Sequence, residues 1–262
     1  MPLPFDTISN SDKYRFADFT IARYGQLIEL ARSQGFVFVA FGDVFPPAGK
    51  IILWRHDVEF SPHTALRMAE IESDAGVKAT YFFQLHSEFY NVLEKEVSHI
   101  VARIKELGHD IGLHFDSHYF NVQSEDQLAN YLILDAEYFN RIFGMQIRVF
   151  SFHNTTPFIL SCERSEYAGF INVYSREFKK LFAYCADSTG FWRYERLEEV
   201  LQNPKVNRLQ VLTHDAMWSE TVLSPRQRVF KAIDEHAQRI KKCYDAILKH
   251  HNAKNIDWQG EV

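Results

Sequence analysis

No stretch of this sequence approaches the roughly 18 consecutive apolar residues of a membrane-crossing helix, so no membrane span is expected. Cysteine is scarce. Cys162, Cys185 and Cys243 are widely spaced, odd in number and form no C-x-x-C pair, which excludes a disulfide framework and a Cys-only zinc site. Proline and glycine, 8 and 11 of 262 residues, are too few for a linker-rich or disordered chain. Basic charge has no excess either. Lys and Arg total 29 against 34 Asp and Glu, and a net charge of −5 without a basic stripe argues against a nucleic-acid partner. The opening Met1-Pro2-Leu3-Pro4-Phe5-Asp6 has neither a basic nor an apolar signal region, so the expected location is cytoplasmic.

What is present is an ordinary globular composition, 46% apolar, with an aromatic share of 15%. That share suits a large core or a sugar-binding groove, and composition does not separate the two. Helical spacing marks residues 15–32, with Gly35 as a stop, and a β-rich run covers 36–41. Residues 51–54 read as a buried strand. Ser61-Pro62 caps a helix to about Ala75, 79–83 is a strand, 94–107 a helix and 110–113 a strand. Ser124 caps a helix over 125–143, and strands are expected at 146–152, 170–174 and 208–212. A turn is expected at Asp187-Ser188-Thr189-Gly190, and Ser224-Pro225 opens a final helix to about His250. Such alternation predicts an α/β chain with a parallel sheet, open or closed into a barrel, as one domain over 1–262 with a helical N-terminal extension over about 1–35.

Polar residues with chemical capacity stand just after the expected strands: Asp57 and Glu59, His114 and His118, His153 and Asn154, and His214. In parallel α/β folds the carboxyl ends of the strands converge on one rim, where ligands bind. His114 and His118 are four residues apart, and on a helical turn both rings would face one metal ion. Asp57 or Glu59 could add the carboxylate of a two-His site with open positions. Twelve histidines make a chance H-x3-H unremarkable, and Trp192 read singly is core or rim packing.

Gly76-Val77-Lys78-Ala79-Thr80-Tyr81-Phe82-Phe83, then Gly108-His109-Asp110-Ile111-Gly112-Leu113-His114-Phe115-Asp116-Ser117-His118, resembles the NodB-type polysaccharide deacetylases, carbohydrate esterase family 4. Val211-Leu212-Thr213-His214 resembles the late L-x-H motif of that family. Arg55-His56-Asp57-Val58-Glu59 looks closest to a divergent subgroup with R-H-D-V-D, which includes WbmS-like proteins of bacterial surface-polysaccharide loci and is related to sugar deformylases. The resemblance spans about residues 51 to 214.

It implies a distorted (β/α)7-type barrel with one divalent metal, zinc by default; cobalt, nickel, manganese or iron would accept the same ligands. It implies Asp57 as catalytic base and His214 as general acid. His114, His118 and Glu59 are the implied metal ligands, with Asp57 as the alternative carboxylate. Arg55, His153, Asn154, Asp187 and Trp192 are the implied substrate-side residues, with Asp187 also the carboxylate that would hold His214. The family's R-x-P-Y motif is absent, and Phe150-Ser151-Phe152-His153-Asn154-Thr155-Thr156-Pro157 stands in its place. The expected activity is hydrolytic removal of an N-acetyl or formyl group from an amino sugar, carried on a glycan or an activated sugar precursor. A catalytically silent glycan-binding relative and a hydrolase of other linear amides are the alternatives. Oligomeric state is not read from the sequence.

Overall fold

The computed structural model describes residues 8–261; the chain's first seven residues, which carried the signal-peptide expectation, lie outside them. Helices α1 (Asn10–Lys13) and α2 (Ile21–Ser33) precede strands β1 (Phe36–Phe38) and β2 (Lys50–Val58). There follow α3 (Pro62–Asp74), β3 (Thr80–Phe83), α4 (Lys95–Glu106), β4 (Asp110–Asp116), α5 (Glu125–Phe143) and β5 (Val149–His153). Next come α6 (Pro157–Ser161), β6 (Glu166–Tyr167), β7 (Phe170–Asn172), α7 (Arg176–Leu181) and β8 (Ala183–Ala186). The chain closes with α8 (Leu197–Gln202), β9 (Arg208–His214), α9 (Pro225–His250) and a hairpin of β10 (Ile256–Asp257) and β11 (Gly260–Glu261).

Capping chemistry sets the helix limits. The Ser61 and Ser124 hydroxyls accept from the backbone N–H of Thr64 and Gln127, Pro62 occupies the first turn of α3, and Gly144 ends α5 in the left-handed region at φ 60°. The single helix expected over 15–32 is divided. Arg15 takes φ 52°, Phe16–Phe19 form a 3-10 turn, and Thr20 caps α2. The strand expected over 36–41 stops at Phe38.

Seven parallel strands run β7-β5-β4-β3-β2-β9-β8, with β1 beside the start of β2 and β6 antiparallel at the β7 edge. The sheet curls into an open, distorted (β/α) barrel in a single domain. No ladder joins β8 to β7; α7 fills that gap, with Phe178 packed against Phe41 at 5.2 Å.

Strand alternation separates two environments. Outward residues such as Ile52, Trp54, Tyr81, Phe83, Leu113 and Phe150 form the main core beneath the helices. Inward residues Ile51, Leu53, Phe82 and Val149 plug the amino end of the barrel together with Phe178 and Phe182. Gly112 faces Phe82 so closely that a Cβ there would lie 2.5 Å from the ring. On the outer face, Glu72 of α3 is wholly buried. It meets His56 Nε2 at 2.8 Å and accepts from the hydroxyls of Tyr24 and Tyr81, while His56 Nδ1 lies 2.7 Å from Thr213 Oγ1. The network ties α2 and α3 to β2, β3 and β9, with each buried polar group given a partner.

Candidate active site

Towards its carboxyl end the barrel lining turns polar. Arg55 and Asp57 alternate inward along β2, and Glu59 follows one step beyond its end. Sheet register sets Asp57 level with His214, His114 level with Ser151, and Asp116 level with His153. The turn that carries Glu59 is pinned by the buried carboxylate of Asp215, which accepts from the backbone N–H groups of Glu59 at 2.7 Å, Phe60 and Ser61.

Glu59, His114 and His153 form a compact donor cluster. His153 Nδ1 is 2.9 Å and His114 Nε2 3.2 Å from Glu59 Oε1, and the two ring nitrogens are 3.3 Å apart. A tetrahedral ion with bonds of about 2.0–2.1 Å has ligand-to-ligand edges of about 3.3–3.4 Å, so the triangle has the size of one face of such a site. Tautomer chemistry supports the fit. The Ser151 hydroxyl donates to Asp57 Oδ1 at 3.1 Å, so its lone pair accepts from His114 Nδ1–H at 2.7 Å. His114 Nε2 is then left with a lone pair aimed at the Glu59 carboxylate, an arrangement that a cation satisfies. At His153, the Asn154 side-chain amide lies 2.7 Å from Nε2 and can face it with either its oxygen or its NH2.

Burial would raise the Glu59 carboxyl, but the hydrogen bond from His153 and the charge of His214 hold it well below the usual range. Burial pulls the His153 ring down, and its Glu59 partner more than reverses that.

His118 stands apart from the cluster. The expectation that H-x3-H sets both rings on one helical face fails because His114 lies in β4, where the chain is extended; a turn then carries His118 outward. His118 is exposed, and its Nε2 donates to the Asn154 carbonyl at 2.7 Å. The structure groups His153 with His114 instead. The alternative carboxylate, Asp57, is 1% exposed and outside the cluster. Its Oδ2 receives Arg55 Nη2 at 3.4 Å.

Arg55 is itself buried beneath the rim. It donates to Tyr174 Oη at 3.2 Å, its guanidinium lies over the Tyr174 ring at 4.9 Å, and it holds Asp57 while lining a cavity of about 270 Å³ with Tyr174, Tyr184 and Gln210. His214 Nδ1 donates to Asp187 Oδ1 at 2.6 Å. Asp187 is fully buried, and its Oδ2 accepts from Trp218 Nε1 at 3.0 Å and the His214 backbone N–H at 3.1 Å. Burial lowers the His214 ring pKa, but the charge and hydrogen bond of Asp187 carry it up to about 10. Asp187 therefore acts on His214, with no surface to offer a substrate. Trp192 packs on Phe19 at 5.1 Å and on Trp218 at 6.1 Å, which makes it part of the outer aromatic core and not a groove wall.

A cavity of about 390 Å³ opens beside the cluster, walled by His153, Asn154, His118, Asp116, Gln84 and His86 among others. His86 is stacked on Tyr119 at 3.7 Å and bonded to the buried Asp135 at 3.1 Å. Sequence patterns did not single out Ser151, Asp215, Tyr174 or the His86–Asp135 pair; inward strand position is the only signal that marks Ser151.

No family model matches the chain, and no curated protein matches it. Among solved structures, the chitin deacetylase of the fungal pathogen Colletotrichum lindemuthianum aligns over 72% of this chain and 83% of its own, at 16% identity and TM-score 0.44. A family 4 carbohydrate esterase from Bacillus anthracis aligns over 82% and 86%, at 16% identity and TM-score 0.44. BA3943, a CE4 family pseudoenzyme from the same organism, aligns over 72% and 63%, at 14% identity and TM-score 0.42. Similarity at this level concerns chain path and bears on neither activity nor ligand.

Proposed function

We propose that this chain is a metal-dependent hydrolase that removes an N-acetyl, or formyl, group from an amino sugar in a glycan precursor of surface-polysaccharide or O-antigen biosynthesis. One observation carries the reading: the Glu59–His114–His153 donor triangle shares the carboxyl end of the barrel with a buried carboxylate, Asp57, and a carboxylate-held imidazole, His214, which are level with each other on neighbouring strands. The Arg55-His56-Asp57-Val58-Glu59 motif, with its likeness to the R-H-D-V-D subgroup, supports the substrate class.

Glu59, His114 and His153 would hold a divalent ion, zinc by default, which supplies a Lewis acid for the acyl carbonyl and a lowered pKa for water. Ser151 fixes the His114 ring with Nε2 facing the cluster. Asp57, held in place by Arg55 and Ser151, takes a proton from the attacking water. His214, protonated and oriented by Asp187, donates from Nε2 to the departing sugar nitrogen, without which an amine is a poor leaving group. The cavity beside His153 receives the sugar, with Asn154 and His118 at its wall.

The test is elemental mass spectrometry of the purified protein before and after incubation with zinc and cobalt, followed by acetate and formate release from nucleotide- and lipid-linked amino sugars. Near-stoichiometric metal with acyl release from one of these is expected. Absence of metal under every condition overturns the proposal.

A second reading, a silent glycan-binding protein, draws on the deep burial of Asp57. Asp57→Asn separates the two. It abolishes acyl release in a hydrolase and leaves glycan binding unaltered in a silent protein.

A further inference from the structure

The final helix α9 runs for 26 residues, about 39 Å at 1.5 Å per residue, yet its buried residues lie only near its start. Arg228 is buried there, donating through Nη1 to the Gly190 carbonyl and through Nη2 to that of Phe16, both at 3.1 Å, and Ala232 is the last buried residue. Beyond it the helix presents a different face. Phe230, Ile233, Ile240, Tyr244 and Ile247 are 48, 40, 53, 58 and 53% exposed. With Ala237 between them, they repeat at alternating steps of three and four residues. That is the period of a coiled-coil seam, and it lies well away from the Arg228–Ala232 side that meets the body of the protein.

We propose that two copies of this chain pair through α9, antiparallel about a two-fold axis. The pattern is self-complementary in that orientation. Phe230 falls opposite Ile247 of the second copy, Ile233 opposite Tyr244 of the second copy, and Ala237 opposite Ile240 of the second copy, each layer occurring twice. The residues flanking the seam then match as well, with Asp234 opposite Lys241 of the second copy, again twice. A parallel pairing sets His236 against Lys241 and Asp234 against Val229, and gains neither ion pair. The ten large seam side chains of two copies carry on the order of 1,000 Å² of exposed area, and the flanking residues bring the contact to the lower range of stable interfaces, about 1,200 Å².

Sedimentation and light scattering of the full chain from about 1 to 100 μM test this. The mass should rise to twice the 30.7 kDa of one chain. Ile240→Asp, at an exposed position, should raise the dimer dissociation constant at least tenfold without loss of helical circular dichroism. Asp234→Lys should weaken the dimer, and adding Lys241→Asp should restore it. A monomer at the top of the range, or Ile240→Asp without effect on mass, overturns the proposal. So does a monomer that instead binds phosphatidylglycerol–phosphatidylethanolamine vesicles through this face. Failure of the double charge exchange to restore pairing overturns the antiparallel register.

Discussion

Replacing Asp187 by Asn removes the charge that keeps His214 protonated and leaves the ring buried. In the native protein burial depresses the His214 pKa, and the Asp187 carboxylate, 2.6 Å from Nδ1, raises it to about 10. Without that carboxylate burial still lowers the ring, and only the lesser charges of Glu59 and Asp57 still raise it, so its pKa falls back towards the ordinary imidazole value of about 6.5. The sign follows directly: the native acid is available below about pH 10 and lost above it, whereas the variant loses it through about pH 6.5. At about pH 7.5 native His214 is almost wholly protonated, and about a tenth of the variant's is. The expected loss of acyl-release rate from protonation alone is therefore about tenfold at pH 7.5, about a hundredfold at pH 8.5, and small near pH 5.5. Acyl-release rates across this range read the effect, and a carbon-detected NMR titration of the His214 ring reads it without substrate. A native ring that titrates near 6.5, or a variant whose deficit is the same at every pH, refutes the reasoning.

Three further outcomes are expected. His153→Ala should abolish bound metal while His118→Ala retains it, because only His153 joins Glu59 and His114 within 3.3 Å; elemental analysis reads both, and the reverse order would restore the H-x3-H assignment. Ser151→Ala leaves His114 Nδ1 without its acceptor and Asp57 without its hydroxyl donor, so metal affinity should fall about 10–100-fold with unchanged circular dichroism. Competition against a chelator measures that loss. Gly112→Ala drives a methyl group into the Phe82 ring and should cost about 1–3 kcal/mol, lowering Tm by about 2–4 °C per kcal/mol; an unchanged melting temperature would contradict the packing described.

The helices with serine caps and glycine stops were legible in the sequence nearly to the residue, as α5 over 125–143 shows. Strand ends were not. Strands expected to finish at residues 54, 113 and 212 continue to Val58, Asp116 and His214. In each, polar residues that read as the start of a loop belong to the strand, and Arg55, Asp57, His114, Asp116 and His214 among them face inward, since the carboxyl end of this barrel is lined by charge rather than by aliphatics. The same reading placed His114 on a turn with His118, whereas His114 lies in β4. Residues 155–190 resisted reading because α6, β6, β7, α7 and β8 are each six residues or shorter, too brief for a periodic signal. His153 was legible as a site residue but not as a member of the donor cluster, because its partners come from β2 and β4, far away in sequence.

Strand β2 has opposite duties on its two faces. Arg55 and Asp57, with Glu59 just beyond, supply the site, while Trp54, His56 and Val58 anchor the strand to the helical layer, His56 through the buried Glu72. A slip of one residue would exchange the sets, placing an arginine and an aspartate among buried aromatics and an imidazole in the site, so the frame of this strand is enforced from both sides. Within that frame the two series are separable. Positions 55, 57 and 59 can be rewritten to install another chemistry on the barrel rim, while positions 54, 56 and 58 continue to hold the architecture that presents it.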